Sequence, residues 1–204
     1  AGVVSPAAAA LFCAGSAALF VVAAAQLNRL CLWLSPVALA IVLGYSYAKR
    51  YTAAAHLVLG LSLAIAPVGA WVAVTGAFAL PPVLLGLAVL FWVAGFDVIY
   101  SLQDLEFDRR EGLRSIPARF GAARALQIAR LFHGATLVLL YAVFLSVHGG
   151  WLFGAAVVVA GGFLVRQHRL VSPSDLSRVH AAFFTAYAWL AVAVGAGIRA
   201  LHDR

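Results

Sequence analysis

Of 204 residues, 65 % are hydrophobic and only 10 % charged, whereas soluble domains keep about a quarter of their residues charged; with a mean hydropathy of +1.01, the composition excludes a soluble globular protein. The net charge of +7 would suggest nucleic acid as a partner for a soluble chain. Here the basic residues sit in short connections between apolar runs, where they set membrane orientation, so nucleic-acid binding is excluded and the lipid bilayer is the expected partner.

A helix needs roughly 17 to 25 mostly apolar residues to cross about 30 Å of hydrocarbon. Such windows can be laid almost end to end, at 6–25, 33–47, 56–74, 83–100, 123–147, 151–165 and 181–198. The predicted fold is all-α: a polytopic membrane helical bundle forming a single integral-membrane domain over 1–204. The second and sixth windows are short, which predicts little tilt or a break. Turn and cap signals separate the windows, among them "LSP", "TGAFALPP", "HGG" and "VSPSD", with Ser174 or Asp175 as the N-cap of the last span.

Under this topology eleven Lys and Arg fall at one face (Lys49, Arg50, Arg109, Arg110, Arg114, Arg119, Arg124, Arg130, Arg166, Arg169, Arg178) and three at the other (Arg29, Arg199, Arg204). Positive loops stay inside. The charged connections are therefore expected to face the cytoplasm of a bacterial inner membrane, with the C-terminus outside. Cys13 and Cys31 are isolated, with no spacing for a metal or redox pair, and read as buried small hydrophobes.

Five of the seven acidic residues lie in "FDVIYSLQDLEFDRREGLRSIPARFG", 96–121. Asp97, Tyr100, Asp104 and Asp108 recur at i, i+3, i+7 and i+11, which predicts one stripe on a helix leaving the membrane, with Glu106 opposite. Asp97 lies at the edge of an apolar span, where an unpaired carboxylate is costly, so a cation is expected to face it. The plain alternative, a solvated loop pairing acids with Arg109, Arg110 and Arg114, leaves Asp97 unexplained. Carboxylates four apart offer hard oxygens to Mg²⁺, which shares its coordination with phosphate. A second island, "GYSYAKRYTAAAH", puts Tyr45, Lys49 and Arg50 at the same side. Together these residues read as a Mg²⁺-diphosphate site. His133, His148, His180 and His202 show no ligand spacing and read as packing or interfacial residues, while His168, with Arg166 and Arg169, either approaches the site from its loop or, the favoured reading, anchors the chain at the interface.

"DVIYSLQDLEFDRREGLRSIPARFG" resembles the second Asp-rich motif of the UbiA-type intramembrane aromatic prenyltransferases, approximately DxxYxxxDxxxDxxxGxxS, filled here by Asp97, Tyr100, Asp104, Asp108, Gly112 and Ser115. "YSYAKRYTAAAHLVLG" resembles that family's YxxxKRxxxxxQxxLG segment, with His56 where Gln is common. The resemblance implies Asp97, Asp104 and Asp108 as catalytic carboxylates. Asp104 and Asp108 would hold Mg²⁺ on a polyprenyl diphosphate, and Asp97 would line the same metal pocket. It assigns Tyr45, Lys49, Arg50, Tyr100 and Arg114 to substrate binding, and an aromatic acid as acceptor: 4-hydroxybenzoate, or the dihydroxynaphthoate of the menaquinone-associated branch, which "DLSRVHAAFF" is similar to. Tyr45, Tyr47, Trp71 or Tyr100 would steady an allylic cation through a ring face. The family's first Asp-rich motif is not found, so the chain is expected to lack the first two of nine helices and to be inactive alone.

Two other classes share part of this pattern. CDP-alcohol phosphotransferases also use Asp-rich Mg²⁺ motifs, but their DGxxAR continuation is missing. A non-catalytic transporter would use the charged helix end as a gate.

Overall fold

Backbone crossing hydrocarbon must satisfy its own hydrogen bonds, and a helix does so within one segment. The computed structural model describes residues 4–173 together with 175, 176 and 179. In chain order these form α1 (Pro6–Leu27), α2 (Arg29–Tyr51), α3 (Ala55–Thr75), α4 (Leu80–Tyr100), α5 (Leu105–Arg110), α6 (Ile116–Ser146) and α7 (Trp151–Leu170), with a 3₁₀ turn, Ser101–Asp104, between α4 and α5. All but α5 are long and apolar enough to span a membrane, α4 running on through the turn and α5 as one crossing segment. The first six expected spans each coincide with one of these helices. The seventh, 181–198, and the N-cap assigned to Ser174 lie outside the described residues.

The short spans are corrected. The second window is the middle of a 23-residue helix and the sixth belongs to a 20-residue one. Asn28 starts α2 early: its Oδ1 accepts the Cys31 N–H at 2.9 Å. Its Nδ2 donates to the carbonyls of Val72 and Ala73 at 2.8 and 3.2 Å, so one side chain caps α2 and ties it to the end of α3. In α7 the final turns continue because Leu164 and Gln167 are buried.

The long helices pack on their neighbours in sequence, α4 lying against both α3 and α6, and α4 is the best buried. Glycines permit its close approach to both sides. A Cβ on Gly60 of α3 would collide with the Leu90 carbonyl oxygen, and one on Gly95 of α4 would collide with the His133 ring of α6. Small residues at helix contacts are how membrane bundles gain dispersion contact where no hydrophobic effect drives association. By contrast, α1 buries only Ala24, and Phe12, Trp33, Val74 and Trp151 are among many large apolar side chains left on the outer surface. Below the acidic segment, Val98, Ile99 and Leu102 pack with Ile116, Leu126, Ala129, Val171 and Val179. This cluster is the floor on which the charged end is built.

Candidate active site

The acidic segment is not one stripe. α4 ends at Tyr100 and the next four residues wind as 3₁₀, which turns about 20° further per residue than α-helix. The turn rotates Asp104 and Asp108 away from the line of Asp97. α5 then closes in a Schellman motif: Leu113 N–H donates to the Asp108 carbonyl at 2.8 Å and Gly112 N–H to that of Arg109 at 3.4 Å. Gly112 takes φ +65°, the left-handed conformation that this C-terminal position requires. Reversed in direction, the chain docks on α2. Arg114 N–H donates to the Lys49 carbonyl at 2.8 Å, and Arg114 Nη1 to the Tyr51 carbonyl at 3.1 Å. Ser115 caps α6, its Oγ accepting the Ala118 N–H at 3.3 Å.

Asp108 is 1 % exposed, with Lys49 Nζ 3.7 Å from Oδ2. That oxygen is buried and makes no hydrogen bond. A desolvated carboxylate with one loosely placed ammonium leaves room for further positive charge. Asp104 is half-buried. Asp97 Oδ2 lies 2.6 Å from Nδ1 of His56, which is fully buried and whose Nε2 accepts the Ile116 N–H at 3.2 Å. Tyr45 lies within electrostatic reach of Asp97. Glu106 and Arg109 form an exposed pair at 3.7 Å, which is worth little energetically and fits the solvated-loop reading for those two residues alone.

The structure therefore brings Tyr45, Lys49, Asp97, Asp108 and Arg114 to one end, contributed by α2, α4, α5 and the loop after it. Asp104 and Tyr100 flank them, both half-buried. Arg50 is exposed. Trp71, four residues from the end of α3, is at the opposite end of the bundle and cannot serve this site, and Tyr47 is 60 % exposed. Among the described residues no three His, Cys, Asp or Glu side chains gather closely enough to hold a metal by themselves; Asp97 turns one oxygen to His56. The residues do fit a cation shared with a ligand. Asp108 has an unbonded buried oxygen and Asp104 precedes it by one turn, a donor set that leaves the other positions of a hard divalent ion to water and phosphate.

The partner expected opposite Asp97 is His56, which the sequence shows only as a His in the first turn of an apolar span, at the place of the resembled segment's Gln, without linking it to Asp97. His133 Nδ1 and His168 Nε2, read as packing residues, lie 2.8 Å apart across α6 and α7. Away from the carboxylates, a cavity of about 630 Å³ opens among α1 to α4 at the other end of the bundle, lined by apolar side chains such as Phe20, Leu34, Ile65, Val68 and Leu87. Cys31 lines it too, and Cys13 is exposed on α1, which corrects its expected burial.

Residues 1–192 match the UbiA prenyltransferase family. A 4-hydroxybenzoate octaprenyltransferase of Ectopseudomonas mendocina is 34 % identical over 82 % of the chain and 57 % of its own length. A 4-hydroxybenzoate solanesyltransferase of Synechocystis sp. is 30 % identical over 86 % of the chain and 58 % of its own. The chain thus spans somewhat under three-fifths of these relatives. An apo structure of a UbiA homolog from Aeropyrum pernix superposes with a TM-score of 0.86 at 35 % identity, covering 98 % of this chain and 74 % of that one. A UbiA homolog from Archaeoglobus fulgidus bound to Cd²⁺ shares the fold, with a TM-score of 0.62 at 22 % identity over 96 % of this chain and 76 % of that one.

Proposed function

The chain belongs to the UbiA prenyltransferase family, and from that premise we propose that its protein transfers a polyprenyl group from polyprenyl diphosphate to a phenolic acid in quinone biosynthesis. The observation that carries the reading is the buried Asp108 carboxylate, its Oδ2 without a hydrogen bond and 3.7 Å from Lys49 Nζ, at the charged mouth of an apolar bundle. Matched relatives named for 4-hydroxybenzoate favour that acceptor over a dihydroxynaphthoate. The family match favours prenyl transfer over the phosphotransferase and transporter readings.

Asp104 and Asp108 are the residues that would hold Mg²⁺, which when bound supplies positive charge to the diphosphate as the C–O bond breaks. Lys49 and Arg114 add fixed positive charge from α2 and the loop, so the leaving electron pair is stabilised from more than one side. The allylic carbon, now cationic, is attacked by a ring carbon of the acceptor, and the ring then loses its proton. Tyr45 and Tyr100, at the same end of the bundle, are the aromatic side chains that would steady that cation through a ring face. The apolar packing of α4 against α3 and α6 keeps water from quenching it. The cavity among α1 to α4 is suited to hydrocarbon rather than to the charged head.

Ten of the eleven Lys and Arg among residues 4–173 belong to the charged half, which supports a cytoplasm-facing site in a bacterial inner membrane. The test is an assay in membranes of the intact gene product with labelled polyprenyl diphosphate and each phenolic acid, with Mg²⁺ or with chelator. Prenylated 4-hydroxybenzoate formed only with the metal is expected. Absence of a prenylated product with either acid would sink the reading.

A further inference from the structure

His56 stands in the first turn of α3, has no exposed surface, and bonds to two other helices. The Ile116 N–H at the start of α6 points at Nε2, and the Asp97 carboxylate of α4 is at Nδ1. An amide N–H can only donate, so Nε2 must present its lone pair; the proton of the neutral ring then resides on Nδ1 and is donated to Asp97. One ring thus meets two needs. It accepts from one of the donors orphaned at a helix start and supplies the partner that a carboxylate at the edge of hydrocarbon requires.

The rest of the first turn of α6 is closed as well. Pro117 has no N–H, Ala118 N–H is taken by Ser115 Oγ, and Arg119 N–H by the Ser115 carbonyl at 3.0 Å. Helix starts often receive phosphate oxygens on free amides, but this one has none to offer. Anion contacts here have to come from side chains whose positions are set by other means.

We propose that His56 is a positioning residue of the diphosphate site. It docks the start of α6 onto Asp97, and this keeps Arg114, two residues earlier, against the end of α2 beside Lys49. It also engages Asp97 Oδ2, so that Asp97 acts toward substrate through Oδ1. The functional half of this inference rests on the proposed diphosphate chemistry, while the clamp rests on the geometry of His56 alone.

Gln carries a donor and an acceptor as His56 does, Leu fills similar volume with neither, and Asn has both but reaches less far. Two measurements that do not require turnover test the clamp. In ¹⁵N-histidine-labelled protein in micelles, the His56 ring, assigned by its loss in His56→Gln, should show a protonated Nδ1 and a bare Nε2. In calorimetry with inorganic diphosphate and Mg²⁺, His56→Gln should bind within about threefold of the natural protein and His56→Leu about tenfold or more weaker. A ring protonated on Nε2 overturns the clamp. Equal diphosphate affinity in His56→Leu and the natural protein, or no binding by the natural protein, overturns the positioning role. If His56→Leu does not fold, His56→Asn replaces it with the same expectation, and Asn binding as well as Gln overturns the role. Prenyl transfer, measured in parallel, separates the two ideas: a protein that binds diphosphate through this clamp and transfers no prenyl group defeats only the proposed function.

Discussion

Asp97, Asp104 and Asp108 are alike in the sequence and unlike in the fold. Asp108 is buried beside Lys49, Asp104 is half-buried, and Asp97 has one oxygen on a histidine. Asn at position 108 or 104 removes a charged oxygen from the proposed diphosphate site and should lower turnover by about a hundredfold or more, the scale seen when one preorganised electrostatic contact is lost. Asp97→Asn keeps an amide oxygen to accept from His56 Nδ1 and should cost less than Asp108→Asn. Turnover at equal membrane protein decides the order, and an Asp97→Asn variant more damaged than Asp108→Asn would contradict it. The carboxylates and Lys49 were legible because charge is costly in so apolar a chain and stands out where it recurs at helical spacing. His56 was not, since one of its partners is a backbone amide sixty residues away, and a main-chain donor leaves no mark on composition.

Whole helices were easier to read than their ends. Span positions follow from hydropathy, which backbone satisfaction in lipid converts directly into helix. The true start of α2 depended on Asn28 finding carbonyls on α3, a tertiary contact. The 3₁₀ turn after α4 carries no Gly or Pro to announce it, so a continuous α stripe was the natural expectation. Gly121, inside α6, adopts φ +78° and ψ +165°, a region almost restricted to glycine, and it bends the helix where the apolar span begins. Gly121→Ala should therefore destabilise by about 1–3 kcal/mol. Gly60→Ala, which drives a Cβ into the Leu90 backbone, should cost a similar 1–3 kcal/mol, roughly the penalty of overpacking. Gly44, with nothing within 4 Å of the place an alanine methyl would take, is the control and should lose no stability as Ala. Thermal unfolding in detergent checks all three, and a Gly60→Ala protein as stable as Gly44→Ala would refute the close approach of α3 and α4.

At the scale of the molecule, charge and cavity lie at opposite ends. The ends can be distinguished in cells by impermeant thiol labelling in a background lacking Cys13 and Cys31. Cys at the exposed position of Ala77, between α3 and α4, should label from outside intact cells, and Cys at the exposed position of Glu111 only after permeabilisation. The reverse pattern would invert the proposed orientation. Asn28 fastens α2 to α3 at the cavity end, and His56 fastens α3 to α4 and α6 at the charged end. The apolar cavity of about 630 Å³ opens beside the first of these fastenings. α3 is thus held like an axle in two bearings, by Asn28 beside the cavity and by His56 beside the carboxylates, and rotation about its own axis would break bonds at both ends.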